Sequence, residues 1–159
     1  MRKIGFTIFM LASFLLAAIT VYAEPYPDEM MKTILAMKAD AEVKKDMPAS
    51  FPGIQVVNSD EVQKRLKAKT AVVLDNRVKS QYDTEKIAGA EWFFCDDLMK
   101  DPAMAGKLDK NKEYVLYCNG SHCWRSPATA LMLQHLGFKK LFWYRDGMPD
   151  WKKKGLPTE

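Results

Sequence analysis

The sequence predicts an α/β fold: a central, mainly parallel sheet flanked by helices, with one extra helix ahead of it. Three observations carry this. Short apolar runs of strand length alternate with helical patterns from residue 54 onward. The run Tyr114-Val115-Leu116-Tyr117 reads as a buried strand, and a polar, glycine-bearing turn then leads into a helical pattern at 126–136. Asp75, Arg77 and Cys118 all fall just past strand ends, where ligands lie on such sheets, so they can share one face.

The chain opens with Arg2 and Lys3, an almost wholly apolar stretch over 4–21, and small residues at Val21-Tyr22-Ala23. This pattern predicts a secretory signal peptide over 1–23, cleaved after Ala23, and an exported, periplasmic protein. The alternative is an uncleaved membrane anchor. The whole chain of 159 residues has net charge +4, and losing Arg2 and Lys3 leaves about +2. That balance is too mild to argue for a nucleic-acid partner. The remaining chain fits one domain, with no repeat and no low-complexity tract. Three cysteines, Cys95, Cys118 and Cys123, are too few for a disulfide framework and leave at least one thiol free or paired between chains.

Residues 24–53 read as a linker and a helix. Glu24-Pro25-Tyr26-Pro27 is extended, Asp28 can cap a helix running to about residue 45, and Met30, Met31, Ile34, Leu35 and Met37 form its apolar face. Methionines on one face are a packing stripe before they are a metal site. Pro48, Pro52 and Gly53 end this arm. The main domain, 54–159, starts with a strand at 54–57. A helix capped at Asn58-Ser59 follows, running to about Lys67. A buried strand at 70–74 ends in Asp75-Asn76-Arg77, and 78–84 is a short helical segment. Residues 91–94 are strand-like, and Cys95 then reads as a half-buried loop cysteine. Asp96-Asp97 read as a helix start. A helix over 98–108 is broken at Pro102 and Gly106, and a charged turn at 109–112 precedes the Cys118 strand. Ser126-Pro127 reads as cap and first turn of the next helix, with Ala128, Leu131, Met132, His135 and Leu136 as its apolar stripe and Gly137 as its stop. A strand at 140–144, a turn at Arg145-Asp146-Gly147 and a segment carrying Trp151 and Lys152 to Lys154 complete the domain.

A cysteine between a strand end and a helix start is placed for chemistry. Loop amides and a helix N-terminus favour an anion, and Arg125 adds a full positive charge, all of which favour the nucleophilic thiolate at Cys118. The alternative is a buried structural cysteine.

Three separated stretches, in order, resemble a single-domain rhodanese-like (sulfurtransferase) protein across 54–157. Leu74-Asp75-Asn76-Arg77, with Tyr82 and Ile87-Ala88-Gly89-Ala90, is similar to one family segment. Tyr117-Cys118 through Arg125-Ser126 is similar to the active loop. Gly147, Trp151, Gly155 and Pro157 are similar to the closing segment. The chain departs from the family with Glu85 and Lys86 in place of the usual glycine and histidine. It also has six residues between Cys118 and Arg125, where common sulfurtransferases have four and the related dual-specificity phosphatases five. Counted from Cys118, Cys123 takes the usual arginine position. This resembles an exported subgroup with a second loop cysteine followed by tryptophan.

The resemblance implies a sulfane-sulfur transferase. Cys118 takes sulfur from a small anion, thiosulfate or polysulfide, and passes it to a thiol or cyanide acceptor. Asn119, Gly120, Ser121, His122, Trp124, Arg125 and Ser126 form the substrate-binding loop, Arg125 supplies positive charge to the persulfide, and Asp75 and Arg77 brace the loop. No cofactor is implied. Cys123 opens a second reading, a thiol–disulfide redox protein using Cys118 and Cys123 with a redox protein partner. A non-catalytic binding module on the same fold and a phosphatase or arsenate reductase are rivals. A metal held by Cys118, His122 and Cys123 is a weaker one, with three ligands on one short loop.

Overall fold

The computed structural model describes residues 26–159, so the expected signal peptide over 1–23 lies outside the described residues. No helix among the described residues is long and apolar enough to cross a membrane. The elements run α1 (Asp28–Glu42), β1 (Gln55–Val56), α2 (Ser59–Ala68), β2 (Ala71–Asp75), α3 (Lys79–Thr84), β3 (Glu91–Trp92), α4 (Cys95–Lys100), a 3-10 helix (Pro102–Lys107), β4 (Glu113–Tyr117), α5 (Arg125–His135), β5 (Leu141–Tyr144) and α6 (Gly147–Lys153).

The five strands form one sheet in the order β1-β5-β4-β2-β3, and every strand pair in it is parallel. Parallel strands need both faces covered, so the strands read as continuous apolar runs. Alternate residues feed two cores. Leu74, Tyr114, Leu116 and Trp143 face a layer containing residues of α1, α4 and α5. Val73, Val115, Tyr117 and Tyr144 face a second layer that includes Val62 of α2 and Met148 and Trp151 of α6.

Register sets the functional end. Asp75 pairs with Tyr117, and Tyr117 with Tyr144. The residues that follow these strands therefore leave the sheet side by side, among them Asn76, Cys118 and Arg145. Asp75 is fully buried, and Arg77 is 5% exposed. The Arg77 guanidinium donates from Nε and Nη2 to the carboxylate at 2.6 to 3.0 Å, and the Arg77 amide donates to Oδ1 at 2.9 Å. Tyr117 Oη donates to Oδ2 at 2.6 Å. Burial, and then the carboxylate charge, pushes the Tyr117 phenol well above its ordinary range, so it remains a donor.

The N-terminal helix packs on its own domain. Ile34 and Met37 are buried, Met30 and Met31 are partly so, and all four belong to the same core layer as α5. Leu35, expected on this face, is exposed: the packed side of α1 runs through Met30, Met31, Ile34, Met37 and Ala41, and Leu35 lies off it. Asp28 is the first helical residue and not the cap. Pro27 holds that position, and its carbonyl accepts from the Met31 amide at 3.0 Å. α2 begins as expected: Asn58 Oδ1 accepts from the Glu61 amide while Glu61 accepts from the Asn58 amide, a full capping box.

Other departures are local. Cys95 is a fully buried first residue of α4, not a half-buried loop residue, because Phe94 takes the cap position and turns the chain inward. The segment after it breaks at Asp101-Pro102, where Asp101 caps a 3-10 turn, and Gly106 sits within that turn without ending it. α5 begins at Arg125 with Trp124 before it, so Ser126 lies in the first turn and makes no cap bond. The buried side of α5 is broader than the expected stripe: Ala130 and Leu133 are fully buried, while Leu131 and Leu136 are only partly buried and His135 is exposed.

Asp75→Ala leaves the Arg77 guanidinium buried without its counter-charge. It is expected to cost about 3–5 kcal/mol, read as a lowered urea midpoint. Asn58→Ala removes only the capping box and costs about 1 kcal/mol in the same assay.

Candidate active site

β4 delivers Cys118 to the sheet's carboxyl edge, and the chain then turns through 119–124 into α5. Two close approaches shape this loop. The Cys118 carbonyl accepts from the Met148 amide at 2.9 Å, and a Cβ on Gly147 would come within 2.3 Å of that carbonyl oxygen. Gly147 has φ +58, so a side chain there is excluded by both backbone and space. Within the loop, the Cys123 amide donates to the Gly120 carbonyl at 3.0 Å, folding the second cysteine back over the first.

Cys118 is buried, 1% exposed. Its Sγ lies 3.0 Å from Ser126 Oγ, and its S–H donates to the Cys123 carbonyl at 3.4 Å. Trp143 Nε1 donates to Ser126 Oγ at 3.0 Å. With the Cys118 proton given to the Cys123 carbonyl, the Ser126 hydroxyl is the donor in its contact with the sulfur. Ser126, expected to cap a helix, is instead a polar contact of the sulfur.

The two thiols of the cysteine pair are shifted in opposite directions, Cys123 down and Cys118 up. The Cys118 thiol beside it, then the amides of Asn119 and Arg125 and the Arg125 charge, bring Cys123 down to about 6. Burial, and then the Cys123 sulfur beside it, pushes Cys118 well above its ordinary range. Cys95 is a different case: burial pushes its thiol up to about 12, which leaves it inert.

Arg125 does not reach Cys118 as expected. Its Nη2 donates to Asp96 Oδ2 at 3.1 Å, and its guanidinium carbon lies 5.6 Å from the Phe94 ring centre and 5.1 Å from that of Trp124. Asp96, in the first turn of α4, and Phe94 just before it hold the guanidinium there. On the other side, Lys38 Nζ lies 5.7 Å from the Trp124 ring centre. The two cations flank one indole.

The arm after α1 closes over the loop. The Met47 amide donates to the Ser121 carbonyl at 2.8 Å, and Met47 itself is 2% exposed. Ser121 Oγ donates to Asp46, His122 Nδ1 lies 3.1 Å from the same carboxylate, and Arg145 Nη2 donates to the Met47 carbonyl at 2.8 Å. Asp46 is held below the usual carboxylate range, first by the Ser121 hydroxyl and then by the His122 and Arg145 charges. Asn119 Nδ2 donates to Gln81 Oε1 at 3.1 Å. An open cleft of about 300 Å³ remains between α1 and the loop; Lys38 and Glu42 line one side, and His122, Cys123 and Trp124 the other. Cys118 lies behind it. Among the described residues no three His, Cys, Asp or Glu side chains come together to hold a metal ion.

Of the expected site residues, Cys118, Cys123 and Ser126 are in contact with one another, Asn119, His122, Trp124 and Arg125 line the cleft together with Cys123, and Ser121 is bonded to the arm. Asp75 and Arg77 reach the site through Tyr117, the residue before Cys118. Asp46, Lys38, Asp96 and Trp143 were not assigned to the site from the sequence; they lie 20 to 80 positions from the nearer of Cys118 and Cys123, and nothing local ties them to it.

The rhodanese-like domain model matches residues 58–154. No curated protein matches the chain. Among solved structures, the rhodanese-like domain of the Alr3790 protein from Anabaena sp. is similar at 28% identity and a TM-score of 0.54, over 65% of this chain and 76% of that one. A protein from Lactobacillus plantarum is 23% identical with a TM-score of 0.58, over 82% and 94% of the two chains. A protein of unknown function from Rhodopseudomonas palustris, described as a possible tyrosine phosphatase, is 23% identical with a TM-score of 0.56, over 79% and 93%. The last two speak to fold alone. α1 and the arm precede the matched stretch.

Since the thiolate is the reactive form, alkylation of Cys123 by iodoacetamide rises as pH rises through its pKa, reaching half its plateau near pH 6. Cys118→Ala removes the thiol hydrogen bond and moves that half-point upward. Peptide-resolved labelling across pH 5 to 9 checks both; a wild-type half-point at the ordinary value of about 8.5 would contradict the assignment.

Proposed function

Because the chain belongs to the rhodanese-like family, we propose that it is an exported sulfane-sulfur transferase in which Cys118 carries the sulfur. The observation that carries this reading is the seat of Cys118 at the carboxyl end of β4, its sulfur against the Ser126 hydroxyl and its proton beside a more acidic thiol. The acidic neighbour answers the difficulty that a buried thiol is a poor nucleophile. On loading, the Cys118 proton passes to the Cys123 thiolate. The Cys118 sulfur then attacks the outer sulfur of thiosulfate, forming the Cys118 persulfide as the S–S bond of the donor breaks and sulfite leaves. With polysulfide the leaving group is the shortened polysulfide. The Ser126 hydroxyl hydrogen-bonds the attacking sulfur as negative charge moves through it. Cyanide or an external thiolate takes the outer sulfur, and Cys118 regains its pair of electrons.

A phosphatase reading uses the same loop but has less support. Arg125, which would face a phosphoryl group, is engaged by Asp96. A binding-module reading gives no role to the paired thiols. The exported location rests on the leader-like pattern over 1–23.

Intact mass after thiosulfate or polysulfide, with residues 24–159 and no reductant, tests the reading. Cys118→Ser is expected to abolish both sulfur gain and thiocyanate formation, and equal loading of Cys118→Ser would sink the proposal. Ser126→Ala is expected to load about ten- to a hundredfold more slowly, the loss of one hydrogen bond to a charged sulfur.

A further inference from the structure

Cys123 is more than a proton acceptor. We infer that it is a resolving thiol that attacks the Cys118 persulfide at its inner sulfur, releases sulfide and leaves a Cys118–Cys123 disulfide. This inference rests on the sulfur-carrying role of Cys118.

Position decides which sulfur is attacked. The turn closed from the Cys123 amide to the Gly120 carbonyl brings residue 123 back to residue 118: the Cys123 carbonyl lies 3.4 Å from Cys118 Sγ, and the two thiols are within hydrogen-bonding reach of each other. That Sγ becomes the inner sulfur of a persulfide. The neighbour already in contact with it is therefore set against the inner atom, whereas an acceptor entering by the cleft meets the outer one. Both cysteines are free in this structure, and Cys123 is the one that lines the cleft. The arm keeps the loop in this folded form through the Met47–Ser121 bond and Asp46, so the encounter needs no loop search.

The step balances on the groups present. After loading, Cys123 holds the proton taken from Cys118, and the persulfide carries one negative charge. Cys123 sulfur bonds to Cys118 sulfur, the bond from Cys118 to the outer sulfur breaks, and the outer sulfur leaves with the Cys123 proton as hydrosulfide. The two thiols are oxidised by two electrons, and the sulfane sulfur is reduced to sulfide. A single turnover uses no outside oxidant or reductant. Further turnovers require a dithiol reductant, which places a thiol–disulfide exchange protein of the same compartment next in the sequence of reactions.

A single-turnover experiment tests this. Reduced chain, 24–159, freed of reductant, is mixed with a slight excess of thiosulfate, and in parallel with polysulfide, and sulfide release and intact mass are followed. Wild type is expected to release about one sulfide per chain above the donor blank and to lose about two mass units, restored by dithiothreitol. Cys123→Ser, with Cys123→Ala as a second variant against a folding defect, lacks the internal proton acceptor and is followed at raised pH until loading is complete; it is expected to load more slowly, to gain about 32 mass units and to release no sulfide. Wild type that keeps the added sulfur as fully as these variants overturns the inference and leaves Cys118 as carrier. Added sulfur mapped to Cys123 without a disulfide overturns it too. Sulfur loading that survives Cys118→Ser removes the carrier reading itself, and the inference with it.

Discussion

Asp75 carries a full charge with no exposed surface, and the functional end of the sheet is arranged to keep that charge solvated by protein. A carboxylate taken from water costs several kcal/mol unless its lone pairs are filled. Here they are filled from the Arg77 guanidinium, the Arg77 amide and the Tyr117 hydroxyl. Tyr117 stands on the adjacent strand at the register position of Asp75, and Arg77 lies in the turn just past β2. The polar network therefore does what apolar packing alone does poorly: it fixes the last residue of β4 in depth as well as in direction. Cys118 is the next residue, so its position inherits that definition.

Past that anchor, the loop distributes charge unequally between two sulfurs. The cysteine nearer the sheet is desolvated and protonated, and the one nearer solvent receives the amides and the Arg125 charge. The asymmetry follows from where the loop puts its polar groups: the Arg125 guanidinium is bonded to Asp96, and its charge and amide act on Cys123, not on Cys118. The positive charge is not lost to the site. It acts one residue further out, on the thiol that the cleft exposes.

Much of the architecture is legible in the chain because it rests on local rules. The buried strands announce themselves as unbroken apolar runs, Asn58 and Glu61 at capping-box spacing mark a helix start, and Gly137 marks a helix end. The ordered motifs around Asp75, Cys118 and Gly147 point to the family that the matched residues establish. What stayed hidden depends on three-dimensional neighbours. Arg125 looked like the loop's cation because sequence distance put it near Cys118, but Asp96, 29 positions away, competes for it. Ser126 looked like a cap because serine commonly caps helices, but its hydroxyl is held by Trp143 and turned to sulfur. Cys95 looked half-exposed because Asp96 and Asp97 follow it, yet the acidic pair belongs to a helix whose first residue points inward. The arm gave no signal, since Asp46 and Met47 make sense only when Ser121 and His122 stand opposite.

That arm is joined to the body it covers. Residues 43–57 run from α1 to α2 with only the two-residue strand β1 between them, and along the way Asp46 and Met47 dock on the loop. The contact is a tethered ligand. Its occupancy is governed by an effective concentration, about millimolar for a short flexible link, and not by how much protein is present. Dilution does not uncover Ser121 and His122. Any molecule that would dock on that side of the loop competes with a segment that cannot diffuse away, whereas the cleft on the α1 side stays open to small anions without displacing anything.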